Sequence, residues 1–174
     1  MRRIKFFIAL FFSIVFFVGA TSITILKEKT SSLEIRGYIF QNDEKVGNAL
    51  VKLYQNNKIV QMINTKKGNK FQFILFSGMM YMVEVEKDGF ITEKIQISTK
   101  ENTEFYGKYL YEFKVDLMNE NKFKGVDISN LDFPTALIKY NTDEGEYMHD
   151  EAYSKYVSAE LKKLKEEAKK TTNK

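Results

Sequence analysis

Between Leu33 and Leu117, apolar and polar residues alternate with period two, in short runs cut by turn residues roughly every ten positions. Leu33, Ile35, Gly37 and Ile39 fall on one face, with Glu34, Arg36 and Tyr38 on the other. A turn at Q-N-D-E-K leads to a second strand, with Ala49, Val51 and Leu53 opposite Lys52 and Tyr54. Asn56-Asn57 suits a two-residue hairpin, because Asn tolerates positive φ. Ile59–Ile63 reads as a third strand. After Thr65–Asn69 a fourth places Phe71, Phe73 and Leu75 on one face. Ser77-Gly78 turns the chain into a fifth, with Tyr81, Val83 and Val85 in phase. Asp88-Gly89 is the strongest hairpin signal. Ile91–Ile97 follows as the sixth strand, with Ile95 and Ile97 inward. A polar connection, Thr99–Gly107, precedes the seventh, built on Tyr111, Phe113, Val115 and Leu117. A sheet with one apolar face must bury it, so the pattern predicts an all-β core: a seven-strand antiparallel Greek-key β-sandwich over 33–118.

The periodicity changes after Met118. Residues 119–149 form an extension in which Phe123 and Val126 are isolated anchors. Pro134 holds Phe133 extended. Ala136–Tyr140 and Glu146–His149 suit an extra hairpin around Thr142–Gly145. Asp150 is a good N-cap for a C-terminal helix over 150–170. Tyr153, Val157, Leu161, Leu164 and Ala168 make one apolar stripe on it. That stripe predicts first turns packed on the sandwich, an end fraying into solvent, and a disordered tail over 171–174. A partner helix and a membrane-surface helix are the alternatives for this narrow stripe.

The first twenty residues carry a different pattern. M-R-R-I-K precedes F-F-I-A-L-F-F-S-I-V-F-F-V-G and Ala20, the arrangement of a secretory signal peptide cut after Ala20. Read on through Leu26, the same run reaches about 20 residues and suits an uncleaved anchor instead. Residues 21–32 have no period and read as a linker. Both alternatives export the chain, to the periplasm or outside the cell. Membrane contact is then expected only through an uncleaved N-terminus.

Charge narrows the partners. The formal net charge is +4, but without Arg2, Arg3 and Lys5 there remain 24 Lys and Arg against 23 Asp and Glu. No basic face with interleaved aromatics follows the strands, so no nucleic-acid partner is expected. The chain has no cysteine, which excludes disulfides and thiolate metal sites.

Three motifs carry a family resemblance: G-N-A-L-V-K-L-Y at Gly47–Tyr54, G-N-K-F-Q-F at Gly68–Phe73, and Y-M-V-E-V-E-K-D-G-F at Tyr81–Phe90. This run resembles the carboxypeptidase regulatory-like module, a transthyretin-like (prealbumin-like) sandwich. The resemblance covers about Leu33 to Thr99 and extends toward Met118. It rests on small residues, turn glycines and inward faces, with Gly68 and Gly89 as sites for positive φ. It therefore implies a fold, and an add-on module of secreted, surface and periplasmic bacterial proteins serving as spacer, scaffold or binding unit. It implies no active site.

The chemistry agrees with a non-enzyme. One histidine, His149, is the whole supply, and an exposed or capping role suits its place at the helix mouth. Two enzyme families share such a sandwich. Hydroxyisourate hydrolases need several histidines, and intradiol dioxygenases bind iron through two Tyr and two His. The acidic group Asp143–Glu146 lacks the alternating spacing that wraps Ca²⁺. No cofactor, metal or catalytic residue is expected. Aromatics remain: Tyr38, Phe40 and Tyr54 are predicted on outward faces as a candidate ligand or partner surface, for an envelope protein or a glycan. The C-terminal third is the competing cover for these rings. The expected function is a non-catalytic structural or protein-interaction module at the cell envelope. The alternative is a carbohydrate- or small-ligand-binding module.

Overall fold

Strand β1 (Ser32–Gln41) is the axis of the first sheet. In this computed structural model, which describes residues 31–100, 107–128 and 133–172, β5 (Lys70–Phe76) pairs antiparallel along one edge of β1. Strand β8 (Lys108–Asp116) pairs parallel along the other, and the two-residue β2 (Glu44–Lys45) pairs with the end of β1. The second sheet has six strands. Their order is β10 (Glu146–His149), β9 (Ala136–Asn141), β7 (Glu93–Ser98), β6 (Met80–Glu86), β3 (Leu50–Gln55) and β4 (Lys58–Asn64). A 3-10 turn η1 (Glu120–Phe123) and one helix, α1 (Glu151–Thr172), complete the described chain. The molecule is an all-β sandwich with a C-terminal helix. None of its described helices is long and apolar enough to cross a membrane.

The inward faces are those expected from parity. Ile35, Ile39, Val51, Leu75, Val83, Val85 and Ile97 are buried between the sheets. Burying each such side chain contributes about 1.5–3 kcal/mol. Gly37 pairs with Phe71, whose ring lies where a Cβ on Gly37 would stand: the nearest ring atom is 2.0 Å away. The glycine is thus a slot for an aromatic ring.

The sandwich is not antiparallel throughout. Strands β1 and β8 run parallel, as do β7 and β9. Each of these pairs is joined through intervening elements, so no tight hairpin fixes its direction. Of three turns singled out in the sequence, one is as expected and two differ. Asn56 and Asn57 have φ of 51° and 60°, as a type I′ hairpin requires. Gly89 has φ of 80°, yet Asp88-Gly89 is no two-residue hairpin. Phe90 leaves the ladder to bridge Asn119, and β7 starts only at Glu93. Gly68 is not among the positive-φ glycines; Lys66 takes the left-handed position in that turn, at 47°.

The cross-links define two poles. The start of β1 lies with the Phe76–Met79 turn and Thr99: Ser77 N–H donates to the Ser31 carbonyl, and Gly78 N–H to that of Thr99. At the opposite pole Ile91 N–H donates to the Met118 carbonyl and Glu120 N–H to that of Gly89. Asp150 caps α1, its Oδ1 accepting Tyr153 N–H at 2.8 Å. The helix end does not fray. Leu164 and Ala168 are buried with Ile91 and Phe123 at the second pole, and the helix continues to Thr172. The N-terminal residues 1–30, read as signal peptide or anchor and linker, lie outside the described residues, as do the last two of the tail.

Candidate functional site

The three aromatic candidates do not share a face. Tyr38 and Phe40 stand on the outer face of the first sheet, Tyr54 on the outer face of the second, and all three are half-buried. Tyr38 Oη donates to Glu112 Oε1 at 3.2 Å, and Arg36 Nη1 donates to the same oxygen at 3.2 Å. Lys70 Nζ lies 5.2 Å from the Tyr38 ring centroid, and Lys114 Nζ 5.1 Å from that of Phe40. Tyr54 Oη donates to Glu84 Oε1 at 3.0 Å, beside Lys52, which bonds Glu84 and Glu86. Partial burial, then Glu84, pushes the Tyr54 hydroxyl up, while the Lys52 hydrogen bond holds Glu86 down. A sugar stacking on Tyr38 or Phe40 must displace a lysine already there. The C-terminal third covers other rings: Tyr140 and Tyr147 meet Tyr109 edge-on at 5.6 and 5.5 Å.

A site the alternation did not announce lies under α1. Glu93 occupies an inward position of β7, opposite Val85, and is 5% exposed. Burial pushes its carboxyl up to about 7; Asp116 adds to the rise, while the Thr135 hydroxyl and Lys165 oppose it. Thr135 Oγ1 also donates to the Lys94 carbonyl at 3.2 Å. The adjoining cavity is about 260 Å³ and also touches Ile95, Phe113 and His149. Asp116 and Lys165 connect it to a wider cleft of about 810 Å³ between α1, η1 and the β1–β2 turn. His149 is an exposed residue whose ring packs edge-on to Tyr111 at 5.8 Å, and partial burial on that side pushes its imidazole down. Among the described residues, no group of three His, Cys, Asp or Glu could hold a metal ion. The acidic Asp143–Glu146 turn is an exposed hairpin tip, with Asn141 Oδ1 accepting the Asp143 N–H at 2.9 Å. Glu93 was visible in one respect: in I-T-E-K-I-Q-I it shares the phase of Ile91, Ile95 and Ile97.

Apart from the two-residue β2, strand β4 is the most exposed strand of the sandwich. Six of its seven residues are exposed, among them Ile59 at 46%, Val60 at 47% and Met62 at 61%. Among the described residues it pairs with β3 alone, so one backbone edge is open. The physical cause is register. Met62 pairs with Lys52 and Ile59 with Tyr54, on the outer face of the sheet, and a register shift between Leu53 and Tyr54 interrupts the alternation between them. Only Ile63 packs on the core. Lys58 is the single charge on the strand, so the usual guards of a free edge are sparse.

No family model and no curated protein matches the chain. Among solved structures it is similar to a Bacteroides fragilis protein described as membrane-associated and of unknown function, at 17% identity and TM-score 0.36, over 52% of this chain and 28% of that one. It is similar to a DUF3823 family protein from Parabacteroides merdae at 12% identity and TM-score 0.35, over 51% of this chain and 47% of that one. It is also similar to 3-chlorocatechol 1,2-dioxygenase from Rhodococcus opacus at 9% identity and TM-score 0.37, over 51% and 60%. This chain thus spans less than two thirds of each. Likeness at this level does not extend to function.

Proposed function

We propose that the protein is an exported module of the carboxypeptidase regulatory-like type that binds another envelope protein through strand β4. The observation that carries this reading is the uncovered edge of β4, with Ile59, Val60 and Met62 exposed beside an open backbone ladder. An extended segment of a partner adds a strand there: its main chain supplies the hydrogen bonds, and these side chains supply the apolar contacts. Export is supported by the basic start and apolar run of residues 1–20. The binding is non-catalytic, since recognition along a strand edge needs no reacting group. A photo-crosslinking residue placed at Val60 in living cells tests this. One discrete adduct with an envelope protein is expected, absent when the same residue replaces Gln96 on the outer face of the same sheet. Equal adducts from both positions, or none from Val60, would contradict it.

A further inference from the structure

The first pole of the sandwich carries a second exposed apolar surface, separate from the free edge of β4. Phe76 is 59% exposed, Ile74 54%, Leu110 53% and Met79 39%. Their arrangement follows from register. Ile74 and Leu110 flank Glu34 on either side of β1, and Phe76 flanks Ser32. Adjacent strands lie about 4.8 Å apart, so Ile74 and Leu110 stand roughly 10 Å from each other across the outer face. The surface surrounds the first residues of β1.

The turn that presents it is rigidly built. Buried Thr99 accepts the Met79 N–H on Oγ1 at 3.0 Å and donates to the Phe76 carbonyl at 2.7 Å. Its backbone N–H donates to the Met79 carbonyl, and its carbonyl accepts the Gly78 N–H. Gly78, with φ of 81°, lets the chain reverse without folding Phe76 or Met79 back onto the core. The apolar side chains are therefore held outward by a fully bonded turn.

The chain entering this pole says what covers it. The apolar stretch from Phe6 to Leu26 ends six residues before Ser32, a reach of at most about 20 Å. We propose that the stretch is retained as an uncleaved anchor and that Ile74, Phe76, Met79 and Leu110 rest on the surface of the lipid bilayer that holds it. The contact is apolar. The same pole holds Lys58, Lys100 and Lys108 as well as Asp143 and Glu144, so its charges are mixed and anionic lipid is not required. Tethering makes the docking intramolecular, so four side chains suffice where a free protein would need more. The second pole and the free edge of β4 remain open to a partner, and failure of the Val60 cross-link leaves this proposal untouched.

The full chain, which has no cysteine of its own, permits single-site labelling. Met79→Cys, Leu110→Cys and, at the opposite pole, Asp88→Cys are each labelled with an environment-sensitive fluorophore. The proteins are reconstituted into vesicles of phosphatidylethanolamine and phosphatidylglycerol, with or without a lipid-borne quencher. Blue-shifted, lipid-quenched emission is expected at 79 and 110 and water-like emission at 88. Phe76→Lys should abolish the quenching at 110 without altering the far-ultraviolet dichroism. Vesicles of zwitterionic lipid alone should give the same pattern. Water-like emission at all three positions would overturn the proposal. So would shielding of 79 and 110 from aqueous iodide without lipid quenching, which would mean that protein covers the face.

Discussion

Glu93 is the residue whose chemistry the fold changes most. Its carboxyl is raised from 4.5 to about 7, chiefly by burial. Between those values the folded chain holds a proton that the unfolded chain has released, so stability falls as pH rises through this window. The shift corresponds to a difference on the order of 3 kcal/mol, fully present below pH 4.5 and gone above pH 7. Glu93→Gln keeps the size and removes the charge. We expect it to match the native chain near pH 4.5 and to unfold at higher urea at pH 8, a comparison made by denaturation at both pH values. Gly37 gives a second prediction. Gly37→Ala places a methyl group in the Phe71 ring and should destabilise by about 1–3 kcal/mol. Thermal unfolding checks this, and Gly37→Ala with Phe71→Leu should recover part of the loss. Parity showed that Glu93 shares a phase with isoleucines. It could not show Thr135 or Lys165, which reach that carboxyl from 42 and 72 positions along the chain.

At the scale of elements, alternation located the strands more surely than it told what covers them. Ile59, Val60, Met62 and Ile63 read as a strand, and β4 is one. Its exposure comes from register: Ile59 and Met62 stand on the outer face beside Tyr54 and Lys52, and the shift between Leu53 and Tyr54 that sets this is fixed by pairing with β3, which no local pattern encodes. The helix shows the complementary case. The stripe of Val157, Leu164 and Ala168 was legible, and all three are buried. The fraying of its end was the wrong expectation, because Ile91, Met118 and Phe123 come together from separate segments to receive it. Leu164→Ala should cost about 2 kcal/mol in urea unfolding, with protection of the Phe123–Ile128 amides lost before that of the central strands. If the helix end were detached, neither quantity would change.

The whole molecule is bipolar. One pole receives the chain from the apolar N-terminal stretch and displays Phe76 and Met79; the other carries η1, the end of α1 and the wide cleft. Strand β4 closes one side of the second sheet, and the β9–β10 hairpin closes the other, where Tyr109, Tyr140 and Tyr147 fill the gap. Of the second sheet's two margins, the β10 end packs buried aromatic rings, whereas β4 exposes Ile59, Val60 and Met62. The central claim, that β4 is where another envelope protein binds, is tested most directly by co-purification from cross-linked cell envelopes. The native chain is compared with Val60→Lys/Met62→Lys, two changes at exposed positions that leave the core intact. Recovery of the partner should fall at least about ten-fold with the unfolding midpoint unchanged. Undiminished recovery of the same partner by the folded double variant would contradict the claim.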